Sequence, residues 1–108
     1  MVDKAEWFGS PTDMCQAYAG LWAQQEPPVN TALSINDGGI ALPSAEFPTV
    51  WFKGGSEPGV ITLNYLVRRK DGRWMAIVGN WSRKDAGVDA GVFAQLMNRA
   101  LILAASAP

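Results

Sequence analysis

Histidine is absent from the 108 residues of this chain, and cysteine occurs once, as Cys15. Without histidine, the chain cannot build a Ser-His-Asp or Cys-His catalytic group or a histidine metal site. A single cysteine cannot form an internal disulfide, and Cys15 has no basic neighbour in the sequence that would activate its thiol. We therefore expect no catalytic residue, no metal and no cofactor in this chain.

An excess of charge is also missing. Nine Lys and Arg residues and ten Asp and Glu residues give a net charge of −1. Without a basic stripe or a polybasic run, we expect no nucleic-acid partner and no membrane partner. No apolar run approaches the about 20 residues of a membrane span. Residues 1–8 contain Asp3, Lys4 and Glu6 and lack the apolar core of a signal peptide, which predicts a cytoplasmic chain as written.

Apolar residues, in contrast, are plentiful. They make up 48% of the chain, against 18% charged residues, a balance typical of a globular domain. The length fits a single domain, residues 1–108, which buries roughly 65% of the surface that its unfolded chain exposes. Tryptophan is frequent, and we expect most of its side chains in the core or at an interface. The tryptophans are Trp7, Trp22, Trp51, Trp74 and Trp81.

Helical signals occur near both ends. Ser10 to Asp13 combines a capping serine, a proline suited to the first helical position and an early acid. We expect this helix to stop near Gln25, because Pro27-Pro28 cannot continue it. From Val88 to Ala105, apolar residues form two adjacent rows, which predicts a C-terminal helix lying across a sheet with a wide apolar stripe.

Residues 26–46 carry fewer signals. Prolines and glycines interrupt them, and we expect only a turn or two of helix around Thr31 to Ile35. Loops of this length in compact domains are uncommon and are usually functional or mobile.

Three β-rich runs follow, Phe47–Phe52, Val60–Val67 and Trp74–Trp81. Ser56 to Gly59 is expected to form the first turn, and the dipeptide Asp71-Gly72 predicts the second. Apolar residues occupy both alternating sets of positions, so both faces of the sheet should be covered. The predicted fold is α+β, a three-stranded antiparallel sheet with an N-terminal helix and a C-terminal helix packed on it.

The candidate site lies between the first two runs. Lys53 ends the first strand in this interpretation, and Gly54 and Gly55 leave its flank open to a ligand or another chain. The commoner alternative is a solvated lysine in a glycine-rich hairpin loop.

Together, these pieces resemble the C-terminal part of the penicillin-recognising serine hydrolases, the class A β-lactamase-like family. Ser10 to Met14 resembles the start of a family helix, Thr-Pro-x-Asp-Met, and Lys53-Gly54-Gly55 resembles the triplet Lys-Thr-Gly. The resemblance implies that Lys53 holds a substrate carboxylate and that Gly55 keeps the strand edge clear. It also implies that the Ser56 N–H contributes to an oxyanion hole. Parent enzymes of this family are exported.

The chain departs from the family pattern in three ways. Gly54 replaces the hydroxyl residue of the triplet, and neither Ser-x-x-Lys nor Ser-Asp-Asn occurs. The family's acylated serine and its activating lysine are therefore missing. One hypothesis is a C-terminal segment of a β-lactamase-like serine hydrolase that is inactive alone. The alternative is a free-standing α+β interaction or dimerisation module without catalytic activity.

The last predicted strand, Trp74–Trp81, is the one through which we expect the chain to bind a partner. In the family, two further strands extend the sheet beside it, and here only Lys4 to Phe8 could form a short substitute. An aromatic, uncharged edge strand invites pairing. The sequence therefore predicts a homodimer, or a complex with a complementary N-terminal fragment, through this edge. Gly79→Pro would test it, provided that the Gly79 N–H points outward.

Overall fold

In the computed structural model, which describes residues 9–108, helices cover both faces of an antiparallel sheet. The elements are α1 Pro11–Gln24, α2 Pro27–Leu33, β1 Thr49–Glu57, β2 Val60–Arg68, β3 Trp74–Ser82 and α3 Ala90–Ser106. The strands lie in the order β1-β2-β3. The α+β class and the three-stranded antiparallel sheet are confirmed, whereas the substitute strand considered at Lys4 to Phe8 lies outside the described residues.

Helix α1 begins as its sequence predicts. The Ser10 hydroxyl accepts a hydrogen bond from the Asp13 N–H at 3.1 Å, and the Asp13 carboxylate accepts one from the Ser10 N–H at 2.7 Å. This reciprocal capping satisfies two backbone donors that the first helical turn leaves open. The bonds from the Ser10 backbone and hydroxyl lower the pKa of Asp13. The helix ends where Gln25 adopts a left-handed conformation, with φ of 53°.

Helix α2 lies earlier than expected. It begins at Pro27, whereas the sequence predicted helix only around Thr31 to Ile35. Pro27-Pro28 stops α1 and also starts α2, because the first helical positions do not require an N–H. Val29 and Leu33 of this short helix pack against the sheet.

Strand β1 is longer than predicted. It continues through Lys53, Gly54 and Gly55 to Glu57, so Lys53 lies inside the strand and not at its end. The turn is reduced to Pro58-Gly59, where Gly59 has φ of 78°. Gly54 pairs with Leu63 of β2, and Gly55 pairs with Thr62. Backbone pairing therefore overrides the weak strand propensity of glycine.

The two faces of the sheet carry separate cores. The α3 face packs the predicted inward row of β2 against helix α3. Its buried members are Phe47, Ile61, Leu63, Tyr65, Val67, Phe93, Met97 and Leu101. The α1 face packs Trp51 and Leu66 against α1 and α2, with Tyr18 buried between them. The alternation predicted for β2 and the coverage of both faces are thus confirmed.

Only one of the two apolar rows of α3 is buried. Its buried residues are Phe93, Met97, Leu101 and Ala104. Three residues of the other row are exposed, with exposed fractions of 47% for Val92, 59% for Leu96 and 71% for Leu103, whereas Val88 and Ala100 are half-buried. The expectation that the whole stripe lies on the sheet was therefore wrong, because Val92, Leu96 and Leu103, with successive spacings of four and seven, lie on a different side of the helix from Met97.

Candidate functional site

The candidate site is the outer edge of β1. Among residues 9–108, β1 pairs only with β2. The turn Pro58-Gly59 is closed by the pair Glu57 and Val60, and in a two-residue hairpin this closing pair exchanges both backbone hydrogen bonds. From that pair onward, the backbone groups of alternate residues of β1 point toward β2 and away from it. The N–H and C=O groups of Phe52, Gly54 and Ser56 therefore face away from β2. The edge therefore presents a row of backbone donors and acceptors to a ligand.

Lys53 places a cation beside this row. Its side chain is exposed, and its ammonium donates a hydrogen bond to the Gly54 carbonyl at 2.5 Å. No carboxylate among residues 9–108 lies within ion-pair distance of it. An exposed ammonium that is bonded to a neutral carbonyl can exchange that bond for a stronger one to a carboxylate. The position fits the carboxylate-binding role that the resemblance implies.

An aromatic ring lies close to the position that a Cβ atom of residue 54 would take. A Cβ atom at Gly54 would lie 2.7 Å from Cζ of Phe52. The Phe52 ring also packs against Tyr65, with ring centroids 5.0 Å apart. This ring therefore occupies the space that a larger side chain at position 54 would need, which gives the glycine a steric reason within this chain.

Gly55 is less constrained than Gly54. A Cβ atom there would lie 3.3 Å from Cγ2 of Thr62, directly across the strand pair. The Phe52 ring covers one side of the β1 edge at Gly54, whereas the other side stays open at Gly55.

Behind Lys53 lies a polar network that the sequence analysis missed. Asn64, the cross-strand partner of Lys53, is 5% exposed, and its amide nitrogen donates to the Lys53 carbonyl at 3.0 Å. The Tyr18 hydroxyl donates to the Asn64 backbone carbonyl at 2.7 Å. The Thr62 hydroxyl lies 3.2 Å from Asn64 Oδ1 and 3.1 Å from the Gly79 carbonyl. The one available signal was an asparagine within the apolar run of β2.

A groove of about 630 Å³ follows the β1 edge. The segment from Lys53 to Ser56 forms one wall, and Ala32, Leu33 and Asn36 contribute another. Asn36 belongs to the loop after α2, and a hydrogen bond from Tyr65 holds this loop against the sheet. The Tyr65 hydroxyl donates to the Asp37 carbonyl at 2.9 Å. Burial raises the pKa of Tyr65, and the charge of Asp37 adds to this rise. The four predicted residues, Lys53, Gly54, Gly55 and Ser56, therefore all line one groove.

Comparison with protein-family models, with curated proteins and with solved structures found no match. Within residues 9–108, no helix is long and apolar enough to cross a membrane. The same part of the chain brings together no group of three or more Cys, Asp and Glu side chains that could hold a metal ion.

Proposed function

We propose that this chain is the substrate-binding C-terminal segment of a β-lactamase-like serine hydrolase and is catalytically inactive alone. The observation that carries the proposal is the open β1 edge. It combines the Lys53 ammonium, two glycines and the outward backbone groups of Gly54 and Ser56 within one groove.

The chemistry of such an edge is binding and polarisation. An extended acylamino ligand can add to the edge as a further strand through the backbone groups of Gly54 and Ser56. The carboxylate of the ligand would form an ion pair with the Lys53 ammonium, and the Ser56 N–H would donate to a carbonyl oxygen of the ligand. The chain has no Ser-x-x-Lys to supply an activated nucleophile, so acyl transfer requires a nucleophile from another chain or segment.

The test is a titration of the ¹⁵N-labelled protein with benzylpenicillin, which has both an acylamino group and a carboxylate. We expect the amide signals of Gly54 and Ser56 to shift on binding. Lys53→Gln should weaken binding about tenfold, since a hydrogen bond to a charged group contributes roughly 1.5–3 kcal/mol. Lys84→Gln is the matched control, because Lys84 is an exposed lysine in the loop after β3.

A chromogenic β-lactam provides the catalytic arm. We expect no turnover and no acylated serine, because a serine without an adjacent base is a poor nucleophile at neutral pH. Stoichiometric acylation of any serine would contradict the claim of inactivity. Equal weakening by Lys53→Gln and Lys84→Gln would contradict the assignment of the carboxylate site.

A second candidate function is dimerisation, proposed from the opposite edge of the sheet. Within residues 9–108, β3 pairs only with β2, and α3 presents Val92, Leu96 and Leu103 to solvent. A second copy pairing antiparallel through β3 would form a six-stranded sheet around a two-fold axis. A complementary N-terminal fragment is the other partner that the sequence suggests.

Sedimentation equilibrium at micromolar concentration tests this candidate. The register of the strands decides which residue to substitute. The backbone groups of Leu63 face β3, so those of its partner Gly79 face β2, whereas the backbone groups of Val78 face outward. Gly79→Pro would therefore break the hairpin, and Val78→Pro is the variant that blocks the edge. We expect a dimer that Val78→Pro converts to a monomer. A monomeric parent protein with a cooperative melt would exclude self-pairing.

A further inference from the structure

Asn64 is a buried polar side chain that the proposed binding chemistry does not use directly. The carbonyl of Lys53 can only accept, so the amide nitrogen of Asn64 must face it, and Oδ1 faces the Thr62 hydroxyl. Leaving such a group unpaired inside the protein costs roughly 1–3 kcal/mol, so its orientation is strongly preferred. The bond joins the inner strand of the sheet to the edge strand at the residue that carries the cation.

The geometry of a peptide group gives this bond a consequence at the outer edge. The Lys53 carbonyl and the Gly54 N–H belong to one planar peptide unit and point in opposite directions. Fixing the carbonyl toward β2 therefore fixes the N–H toward the groove. Two consecutive glycines follow Lys53, and glycine restricts the backbone less than any other residue, so the ladder alone holds this unit weakly.

We propose that Asn64 is a positioning residue: it locks the Lys53–Gly54 peptide so that the Gly54 N–H points into the groove as a ligand donor. Tyr18 supports it by donating to the Asn64 backbone carbonyl, and the Thr62 hydroxyl shares its proton between Asn64 Oδ1 and the Gly79 carbonyl. The ligand-binding part of this inference rests on the proposed function, whereas the locking of the peptide can be measured without ligand.

The experiment compares ¹⁵N relaxation dispersion of the parent protein with that of Asn64→Leu. We expect microsecond-to-millisecond exchange at Gly54 and Gly55 to appear in the variant, because the peptide can then reorient. Thr62→Val is the graded comparison, since it removes a half-buried hydroxyl next to Asn64 Oδ1 but leaves the bond to the Lys53 carbonyl, and we expect less exchange in it than in Asn64→Leu. If Asn64→Leu does not fold, Asn64→Thr serves, because threonine suits a strand but cannot reach that carbonyl.

Benzylpenicillin affinity is the second readout. We expect Asn64→Leu to weaken binding about fivefold, as loss of one oriented hydrogen bond would, with a smaller shift of the Gly54 amide signal. Unchanged relaxation at Gly54 and Gly55 would overturn the inference. So would exchange at these residues with no change in affinity. If the parent protein does not bind the probe, the proposed function fails, and the relaxation result still decides whether Asn64 locks the peptide.

Discussion

The two faces of the sheet are built by different means. The α3 face is held by apolar packing, with Leu101 and Val67 fully buried and Gly79 leaving room for the sulfur of Met97. The α1 face has a smaller buried cluster, and directed hydrogen bonds fix its aromatic residues. The Trp51 indole donates to Asn30 Oδ1 at 2.8 Å, and the Tyr18 hydroxyl donates to the Asn64 carbonyl at 2.7 Å.

This difference places Lys53 on the face where directed hydrogen bonds specify the geometry. Apolar packing is non-directional and tolerates small shifts, whereas a buried hydrogen bond requires a particular distance and angle. The Lys53 side chain and the Asn64 network belong to the α1 face. The face with fewer buried apolar residues therefore orients Lys53, whereas the α3 face contributes Phe52, Ile61 and Leu63 to the lining of the groove.

The largest expected effect is that of Trp51→Ala. The residue is 2% exposed and packs against Trp22 and Tyr18. We expect the free energy of unfolding to fall by about 3–5 kcal/mol, because a large cavity opens. Urea unfolding followed by circular dichroism measures it. Asn30→Ala, which removes only the partner of the indole, should cost about 1 kcal/mol. Equal losses in the two variants would mean that the bond, and not packing, dominates this face.

Leu101→Ala tests the other face. The side chain has no exposed surface, and we expect a loss of about 2–5 kcal/mol in the free energy of unfolding. Leu103→Ala is the matched control on the same helix, because 71% of Leu103 is exposed, and it should change stability by less than about 0.5 kcal/mol. Similar urea midpoints for the two variants would show that α3 does not pack as described.

High pH should weaken the α1 face. Burial raises the pKa of Tyr18 to about 12, whereas tyrosine in an unfolded chain ionises near about 10. Between these values the unfolded state loses the proton first, so stability decreases as pH rises, by about 1–3 kcal/mol in total. Urea midpoints should fall between about pH 10 and pH 12, and Tyr18→Phe should reduce the slope. An unchanged slope in that variant would assign the loss to other groups.

Gly54→Ala tests the contact that connects the groove with the α3 face. The new methyl group would collide with the Phe52 ring, and we expect a loss of about 1 kcal/mol. In a Phe52→Ala background, the same substitution should cost much less, since the ring is gone. A double-mutant cycle of unfolding free energies measures this coupling. Additive losses would show that Phe52 is not the reason for glycine at this position.

The smallest expected effect on stability is that of Lys53→Ala. The side chain is exposed, and its ammonium donates to the Gly54 carbonyl, a neutral partner, so the free energy of unfolding should change by less than about 0.5 kcal/mol. Ligand affinity, in contrast, should fall. A clear loss of stability in urea would show that Lys53 holds the strand and is not reserved for a ligand.

Local signals predicted much of the fold. The start of α1 followed from Ser10, Pro11 and Asp13, because capping depends on neighbours within one turn. The second hairpin followed from Asp71-Gly72, and the two faces of β2 followed from alternation. Lys53 to Ser56 were predicted to form one site from glycine content and from resemblance, and they line one groove.

By itself, the sequence determined the helices near both ends and the faces of the strands, since these depend on residue identity and short-range spacing. It also determined that the chain contains neither histidine nor Ser-x-x-Lys. Tertiary structure alone decided that β1 continues through its glycines, because pairing with β2 supplies hydrogen bonds that propensity does not count. It also decided which row of α3 is buried and brought Asn64 and Tyr18 together behind Lys53. These contacts join residues up to 46 positions apart, and no local pattern encodes such a distance.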